Sequence, residues 1–533
     1  MILGLVRRSS YQDSVTLMRV SREMEAVPGV RRAAALMATP QNLALLREAG
    51  LLTPEAEGAG ATDLVLAVLG DEDAAGRAAL AAAEAALAPP APSGAVLVPR
   101  PRSIETALRL RPDATLALIS VPGVHAGAEA RKALRAGLDV MLFSDNVPVA
   151  VEIALKHLAR EHGRLLMGPD CGTAIVNGVP LGFANVVPRG RVGIAAASGT
   201  GLQEVACLIA AAGEGISHAI GVGGRDLSEA VGGLMMEPAL EALASDARTE
   251  VICIVGKPAG PDVASRVAQW AARTGKPCVV HFPGSGAHAD GERTDDGTDP
   301  ARRPAHVGGD VNRHGWHAAR TLEDAAHAAV ALARGDKPVP VDFAGPAGEI
   351  RRLADDAVAR LGKNQRFVRG VYAGGTLAWE AVALLASRLR DVAPTVAGGG
   401  DGHRVVDLGE DAFTVGRPHP MIDGTTRREW IGREGRDPGT AVLVLDVVLG
   451  HGAHRDPAGE VLPALHEARE ARRGQREDLV VVASVCGTDA DPQNRAAQVR
   501  ALEAAGVIVM PSNAQAARLA ALIATGLIER TAH

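Results

Sequence analysis

Short apolar runs alternate with longer amphipathic, alanine-rich stretches along most of this chain. Residues 115–121 and 139–143 have the pattern of buried strands, with a predicted helix between them at about 126–136. A second predicted helix begins at about Pro148 and leads to an apolar stretch that ends at Gly168. Strands that alternate with helices of this length are typical of parallel βαβ units, so the pattern predicts an α/β fold.

The strand–helix rhythm restarts twice further along the chain. From residue 190 it predicts strands at 191–197, 217–222, 250–255 and 277–282, and helices at 202–212, 228–245, 262–274 and near 321–333. From residue 345 it predicts strands at 367–372, 403–407, 440–447, 478–485 and 506–510, and helices at 376–389, 460–470 and 492–504. Because the two blocks have similar element orders, we expect them to be structural relatives without a clear residue-level repeat.

The length of 533 residues is too great for one hydrophobic core, so several domains are expected. The pattern predicts four of them: a small α+β module at 1–95, and α/β domains at 100–188, 190–335 and 345–533. The proline-rich stretch 87–94 is interpreted as a linker. Residues 283–316 are rich in glycine, aspartate, arginine and histidine, which is typical of a long loop.

Composition narrows the class of protein. Hydrophobic residues make up 47% of the chain and aromatic residues only 2%, so alanine, valine, leucine and isoleucine must form the cores. A net charge of −6 without a long basic run gives no reason to expect nucleic acid or a membrane surface as a partner. We find no signal-peptide pattern at the first residues and no apolar segment long enough to span a bilayer. Five widely spread cysteines without metal-ligand spacing indicate reduced thiols in a cytoplasmic protein.

Two glycine-rich turns each follow an apolar strand and open a helix. The first is Ser198, Gly199, Thr200 and Gly201, and the second is Gly374, Gly375 and Thr376. In each case a glutamate follows within the helix, namely Glu204 and Glu380. A helix that begins at glycines presents free backbone N–H groups and a positive dipole end, which suits a phosphate or an acyl phosphate. The pair therefore predicts an anion site, with ordinary strand-to-helix packing as the alternative.

Further substrate-binding candidates lie in two other turns. Asp170, Cys171 and Gly172 follow a predicted strand in a turn of small residues that permits close approach to a ligand. A nucleophilic thiolate needs a neighbouring base, and the sequence supplies none for Cys171, so a small thiol packed under the turn is favoured. In the turn 221–226, Arg225 is suited to bind a carboxylate or phosphate, with a solvated Arg–Asp pair as the equal alternative.

Histidines are candidates for phosphoryl transfer or metal binding. His281, His288, His306, His314 and His317 crowd into one region, but their spacings match no ligand pattern, so no metal site is predicted. His403, His419, His451 and His454 lie near strand ends or in glycine-rich loops of the last block, and the sequence does not single one out. The chain contains neither a P-loop nor a dinucleotide-binding fingerprint, which argues against an NTPase and a dehydrogenase.

These turns resemble those of the succinyl-CoA synthetase superfamily. The stretch from Val121 through 168–172 to Ser198–Thr200 is similar to the α-subunit, and the block from 367 onward is similar to the carboxy-terminal ligase domain of the β-subunit. The order of the parts resembles the FdrA family, in which both are fused, helped by 418–423 and 485–488. The resemblance implies a Rossmann-like CoA-binding-type domain followed by two flavodoxin-like, doubly wound parallel-sheet domains. In that superfamily two helix N-termini point at a shared phosphohistidine, and the two glycine-rich turns fall where those helices would begin.

Three departures qualify the resemblance. The string nearest to the phosphohistidine motif is 286–290, and its surroundings are unlike the family's. The amino-terminal glycine loop that holds CoA phosphates is not evident, and no space remains between the blocks for an ATP-grasp domain. The chain therefore lacks the part that would generate a phosphoryl donor.

The resemblance then implies an enzyme that acts on an acyl phosphate, together with other subunits of one complex, and CoA or phosphate as the ligands to consider. The expected reaction is carbamoyl transfer between oxamate or oxalurate and phosphate, in purine (allantoin) breakdown, which needs neither an ATP-grasp domain nor a carrier histidine. One alternative is an NDP-forming acyl-CoA ligase whose nucleotide site is supplied by a partner. The other is a non-catalytic scaffold subunit, against which the two retained phosphate-type turns argue.

Overall fold

The computed structural model describes residues 1–12, 14–88, 101–282, 316–393, 402–414, 418–472 and 478–532. Two compact units divide the chain: Met1–Arg102 with Thr414–Pro418, and Ser103–Phe413 with His419–His533. The predicted linker from Pro89 onward and most of the predicted loop 283–316 lie outside the described residues.

The first unit is an α+β module built on an antiparallel sheet. Its elements are β1 (Ile2–Arg7), α1 (Ser14–Glu25), β2 (Val30–Met37), α2 (Pro40–Glu48), α3 (Pro54–Glu57), β3 (Leu64–Gly70) and α4 (Asp73–Leu87). The strand order is β1-β3-β2, so β3 is central and buried on both faces. Leu66 packs with α1 and α4 on one face, and Val65 packs with α2 and α3 on the other.

The second unit begins with a small parallel sheet. Its elements are α5 (Ile104–Leu110), β4 (Leu116–Ile119), α6 (Gly123–Arg135), β5 (Asp139–Leu142), α7 (Val149–Glu161) and β6 (Leu166–Met167). The strands pair in the order β4-β5-β6, and all are parallel. Alanines of α6 (Ala126, Ala130 and Ala133) are fully buried against this sheet, as expected where few aromatic residues are available.

A larger sheet follows. Its elements are β7 (Thr173–Val176), β8 (Val179–Gly182), β9 (Val192–Ala197), α8 (Gly199–Ala211), β10 (Ile216–Gly221), α9 (Met236–Ser245), β11 (Val251–Gly256), α10 (Pro261–Arg273), β12 (Cys278–His281), β13 (Trp316–Ala318) and α11 (Leu322–Arg334). The five parallel strands have the order β10-β9-β11-β12-β13, which is the flavodoxin-like order 2-1-3-4-5. The β7–β8 hairpin extends the sheet by pairing antiparallel with β10. This hairpin, which the sequence did not predict, precedes residue 190, and the predicted domain boundaries stay a prediction.

The last sheet repeats this topology. Its elements are α12 (Ala347–Ala359), β14 (Phe367–Tyr372), α13 (Gly375–Ala386), β15 (Arg404–Asp407), α14 (Asp411–Thr414), α15 (Thr425–Arg436), β16 (Thr440–Val448), α16 (Pro457–Arg472), β17 (Val480–Cys486), α17 (Arg495–Ala504), β18 (Ile508–Met510) and α18 (Asn513–Ala532). All five strands are parallel, in the order β15-β14-β16-β17-β18, again 2-1-3-4-5. The α/β class with parallel, flavodoxin-like sheets is therefore confirmed, and so is the likeness of the two blocks.

The helices between the two flavodoxin-like sheets form a shared core. α8 and α11 of the first domain pack with α13 and α18 of the second. Small and branched residues such as Val205, Ala325, Ala381 and Ala520 are buried there in one continuous cluster. This packing brings the first turns of α8 and α13 together, because both helices follow the first strand of their own sheet.

Several helix predictions were wrong in their bounds. α8 begins at Gly199 instead of 202, since the Ser198 side chain caps it. α9 begins at Met236 instead of 228, because the Asp226 carboxylate accepts the N–H groups of Met235 and Met236 and holds the preceding segment in turns. Helices α12, α15 and α18 were not predicted. The polar sequence of α15, with two glycines, has no apolar periodicity that could announce it.

No helix in the described part of the chain combines the length and the apolar character needed to cross a bilayer.

Candidate functional site

The first turns of α8 and α13 lie against each other. The hydroxyls of Ser198 and Thr376 share a hydrogen bond of 2.5 Å, and the Ser198 Oγ also accepts the N–H of Gly201 at 2.9 Å. In the reciprocal contact, the Cβ and Cγ2 of Thr200 lie 3.0 Å from the position that a Cβ on Gly374 would take. Both predicted glycine-rich turns thus belong to one site, where two positive helix ends meet.

This site retains unused backbone donors. Gly199 and Thr200 begin α8, and Gly375, Thr376 and Leu377 begin α13. Across the ranges that the structure describes, the N–H groups of these five residues have no acceptor. Gly199, Thr200 and Gly375 are partly exposed, so the donors are accessible from one side. Two positive helix ends with free N–H groups favour an anion at this position.

A buried carboxylate already occupies the approach to α13. Asp446, in the otherwise apolar strand β16, accepts the N–H groups of Ala373 and Gly374 at 2.9 and 2.7 Å. Its Oδ1 also forms an ion pair of 2.8 Å with Arg427. Burial raises the pKa of Asp446, and the Arg427 guanidinium opposes this shift. Asp446 therefore serves as a built-in cap, because the N-cap residue Gly374 has no side chain of its own.

Two further charged side chains border the opening. Lys257 follows β11, and its Nζ lies 3.9 Å from the position of a Cβ on Gly224. On the other side its Cε lies 3.8 Å from the corresponding position on Gly375. Asp407, the last residue of β15, lies closer still, with Oδ2 2.5 Å from that position on Gly375. The carboxyl ends of β11 and β15 thus bring a cation and a carboxylate to the first turn of α13.

His419 lies beside this pair. Its Nδ1 accepts the N–H of Met421 at 3.2 Å, and its ring centre lies 5.9 Å from that of Phe183. Burial and the nearby Lys257 charge lower the pKa of His419 to about 4. The ring is therefore neutral at physiological pH, with its proton on Nε2.

The three predicted substrate residues in the turn 170–172 have different surroundings. Asp170 is exposed, and its Oδ2 lies 3.3 Å from the position of a Cβ on Gly224, on the Lys257 side of the site. Gly172 is partly buried, and its carbonyl accepts the N–H of Phe183. Cys171 is buried, and desolvation raises its pKa to about 12. A thiol in this state is not a nucleophile, which agrees with the interpretation of Cys171 as a packed side chain.

Arg225 is engaged in a structural network. Its Nη2 lies 2.9 Å from Glu152 Oε2 and donates to the carbonyl of Val147. Glu152 and Asp226 are fully buried, and each lies within 2.8 Å of the buried Lys156 ammonium. Of the two alternatives for Arg225, neither the free anion-binding side chain nor the solvated Arg–Asp pair describes these contacts.

Glu204 lies away from the glycine-rich turn. Its Oε1 accepts the N–H of Asn513, at the start of α18, at 3.0 Å, and burial raises its pKa. Glu380 occupies the corresponding place in α13: its Oε1 accepts the N–H of Leu322, at the start of α11, at 2.7 Å. Burial raises the pKa of Glu380 to about 7. Both glutamates thus cap helices of the opposite flavodoxin-like domain.

The remaining histidine and cysteine candidates have structural surroundings or lie outside the described residues. His281 is buried with its Nδ1 3.1 Å from the carbonyl of Ala319, and burial lowers its pKa to about 4. His403 accepts the N–H of Val368. Cys486 is a buried thiol. His288, His306, His314 and the string 286–290 lie in the part that is not described.

The sequence analysis did not identify Lys257, Asp407 and Asp446 as residues of the site. Lys257 follows β11, Asp407 ends β15, and Asp446 lies two residues before the end of β16. Open α/β sheets place ligands at the carboxyl ends of their parallel strands, and that position was the available signal. A groove of about 670 Å³ between α15 and α16, lined by Arg428, His454 and Glu460 among others, lies elsewhere and holds none of the site residues.

With the geometry established, comparisons with known proteins define the class. A protein-family model described as "CoA-ligase" matches residues 371–523, and one described as "AllF, heavy metal-associated domain" matches residues 1–96. The chain is 30% identical over 211 residues to the succinate–CoA ligase [ADP-forming] subunit alpha-2 of Trichomonas vaginalis, covering 38% of this chain and 63% of that subunit. These matches define a CoA-ligase-like protein.

One relative is similar to this chain over almost its full length. The Escherichia coli K12 protein YahF, described as uncharacterized, is 40% identical over 531 residues, which cover 97% of both chains. The chain therefore belongs to the same family as YahF, and its similarity to the CoA-ligase family model extends over residues 371–523. Among solved structures, acetyl-coenzyme A synthetase 1 of Candidatus Korarchaeum cryptofilum has a TM-score of 0.32 at 16% identity, covering 78% of this chain and 85% of that one. At this TM-score the similarity supports no conclusion beyond the topology given above.

The matches suggest two ligands, a heavy metal and CoA, and the described residues form no evident site for either. Cysteine thiolates and histidine imidazoles are the usual ligands of soft and borderline metals, and residues 1–96 contain neither. The described residues likewise contain no group of three or more histidine, cysteine, aspartate or glutamate side chains that could hold a metal ion. The turn between β4 and α6 has a single glycine, Gly123, and the carbonyl oxygens of Asp145 and Asn146 lie 2.3 and 2.7 Å from the position of its Cβ. A glycine-rich loop for CoA phosphates is therefore missing from this turn.

Proposed function

We propose that this chain binds an acyl phosphate at the paired first turns of α8 and α13 and transfers the acyl group. The observation that carries the proposal is the contact between two helix N-termini, whose five N–H groups have no acceptor among the described residues. Positive helix ends and fixed N–H donors stabilise negative charge on a phosphate or on the carbonyl oxygen of the reacting group. An acyl phosphate carries both groups.

The most specific form of the proposal is carbamoyl transfer. The chain would act as an FdrA-type subunit of an oxamate carbamoyltransferase-type enzyme, which passes a carbamoyl group between oxamate or oxalurate and phosphate. Such a reaction needs no ATP-derived phosphoryl group and no nucleophilic thiol, and Cys171 is a protonated, buried thiol. The five cysteines are all free and buried, which supports a location in the reducing cytoplasm.

The test is a product assay with the purified protein, alone and with the products of neighbouring genes. Carbamoyl phosphate with oxamate is compared with ATP, CoA and succinate. ATP-independent release of phosphate from carbamoyl phosphate, with formation of oxalurate, supports the proposal. Formation of an acyl-CoA with ATP identifies the protein as a ligase subunit whose partner binds the nucleotide, and inactivity under both conditions indicates a scaffold subunit.

Threonine variants test the site itself. We expect Thr200→Val and Thr376→Val to lower kcat by about 100-fold, the lower end of the range seen when a donor to a developing oxyanion is removed. Thr525→Val is the matched control, because its hydroxyl bonds only to the Ala521 carbonyl within α18. Unchanged activity of both site variants in the assembled complex would exclude a catalytic role for these turns.

A further inference from the structure

Lys257 is a cation without a partner at the edge of the site. In the described part of the chain its ammonium forms neither an ion pair nor a hydrogen bond. It is held between the turn at Gly224 and the first residue of α13, Gly375, with distances of 3.9 and 3.8 Å to the Cβ positions of these glycines. At these distances the lysine side chain lies in ordinary van der Waals range of both turns.

Asp407 presents a second group that lacks a partner. The residue is 2% exposed, and its Oδ1 accepts the N–H of Gly409 at 2.9 Å. Its Oδ2 accepts no hydrogen bond from the residues described, and it lies beside Gly375, where the N–H groups of α13 are free. Asp407 Oδ2 is not among the fully buried side-chain atoms without a partner, so it keeps access to solvent at the opening where the α13 donors are unused. A carboxylate oxygen, free backbone donors and a lysine side chain that meet at one opening are a feature of a ligand site.

Four charged or titratable groups face Asp407. Lys257 comes from the first flavodoxin-like domain, while Glu410, Asp446 and His419 come from the second. Burial raises the pKa of Asp407 to about 7, and Lys257 opposes part of the shift. The carboxyl group therefore gains and loses its proton near neutral pH, as a general acid or base must.

We propose that Lys257 binds the phosphate of the acyl phosphate and that Asp407 exchanges the proton of the acyl acceptor. This assignment rests on the proposed function and names the residues that carry it out. The two side chains come from different flavodoxin-like domains, so the complete site exists only where both domains meet.

With carbamoyl phosphate and oxamate, the reaction joins the carbamoyl group to oxamate and releases phosphate. The amide nitrogen of oxamate attacks the carbamoyl carbon, and a C–N bond forms. The bond between that carbon and the bridging phosphate oxygen breaks, and its electron pair leaves with the phosphate, which Lys257 holds. The ionised Asp407 takes the proton from the attacking nitrogen and passes it to the departing phosphate.

Anion binding tests the site without relying on turnover. Sulfate is the probe, because it stays a dianion between pH 6 and 8, and its affinity is measured by calorimetry on the full chain. We expect Lys257→Met to weaken binding at least tenfold and Lys257→Arg to retain it. Lys363→Met, on an exposed lysine, is the control. Unchanged affinity in Lys257→Met, or no sulfate binding by the wild-type protein at millimolar concentration, overturns the assignment of Lys257.

The pH dependence of sulfate binding tests Asp407. An ionised carboxylate beside the site repels the anion, so wild-type affinity should fall several-fold as pH rises from 6 to 8. In Asp407→Asn the affinity should be independent of pH over this range, whereas the exposed control Asp355→Asn should follow the wild type. A pH dependence that survives in Asp407→Asn overturns the role of Asp407. If binding behaves as expected but carbamoyl phosphate is not consumed, the proposed function fails and the anion site stands.

Discussion

The two flavodoxin-like domains share one topology but terminate the equivalent helix in different ways. In the first domain, α8 is capped by its own Ser198 hydroxyl. In the second, the N-cap of α13 is Gly374, and the cap is the Asp446 carboxylate from a neighbouring strand. Ala195 pairs with Ile254, and the equivalent Val371 of the second domain pairs with Leu445, so Val255, the next residue of β11, is the counterpart of Asp446. Two turns that look alike in sequence are therefore not equivalent: only the second is already paired with a carboxylate.

Unlike these caps, two glutamates have equivalent positions and roles in the two domains. Glu204 and Glu380 each lie five residues after the first residue of their helix, and each caps a helix of the other domain. The comparison shows that the contact between the domains is symmetric, while the chemistry at the site is asymmetric.

The largest expected effect comes from removing the asymmetric cap. Asp446→Ala leaves the buried Arg427 without its counter-charge and the N–H groups of Ala373 and Gly374 without an acceptor. We expect a loss of about 3–5 kcal/mol in the free energy of unfolding, since one partner of a buried pair is removed. Urea denaturation followed by circular dichroism measures it, with the exposed Asp356→Ala as control. A loss below about 1 kcal/mol would show that Asp446 is not the cap we describe.

A smaller effect is expected at Gly256, one residue after the counterpart of Asp446. A Cβ there would lie 2.5 Å from the Leu227 Cδ1 and 3.0 Å from the Phe282 Cδ1, so the first domain has no space for a side chain where the second has Val447. Gly256→Ala should cost about 1–3 kcal/mol through overpacking. Gly348→Ala in α12, whose Cβ would meet nothing within 4 Å, should cost nothing in the same urea experiment. Equal stability of the two variants would contradict the difference between the domains.

The smallest expected effect is a pH dependence at the symmetric contact. Because the pKa of Glu380 is raised to about 7, the native state keeps a proton that the unfolded chain has lost above its ordinary pKa of 4.5. Stability from this group is therefore lost as pH rises through about 7. Glu380→Gln should remove this component, so its stability relative to the wild type should improve by about 1 kcal/mol between pH 6 and pH 7. An identical pH dependence in both proteins would exclude the shift.

The sequence predicted the strands and the two glycine-rich strand-to-helix turns because these depend on local patterns. The runs at 191–197 and 367–372 are apolar and end in glycine-rich turns, and both are strands followed by helices. What could not be predicted depends on contacts between distant segments. Asp407 and Lys257 lie near each other only after two sheets have packed, and nothing local distinguishes Glu204 as a cap for Asn513, a contact that spans 309 residues.

Reciprocal capping also bears on how the protein is made. α11 receives its cap from Glu380, which is synthesised 58 residues after Leu322, whereas Glu204 must wait for Asn513, 309 residues later. At translation rates of about 5–20 residues per second, that second interval lasts roughly 15–60 s. During this time Glu204, which is buried in the folded protein, lies in water in the nascent first domain, and its carboxylate is ionised there. Helix α18 therefore completes the first domain as well as its own.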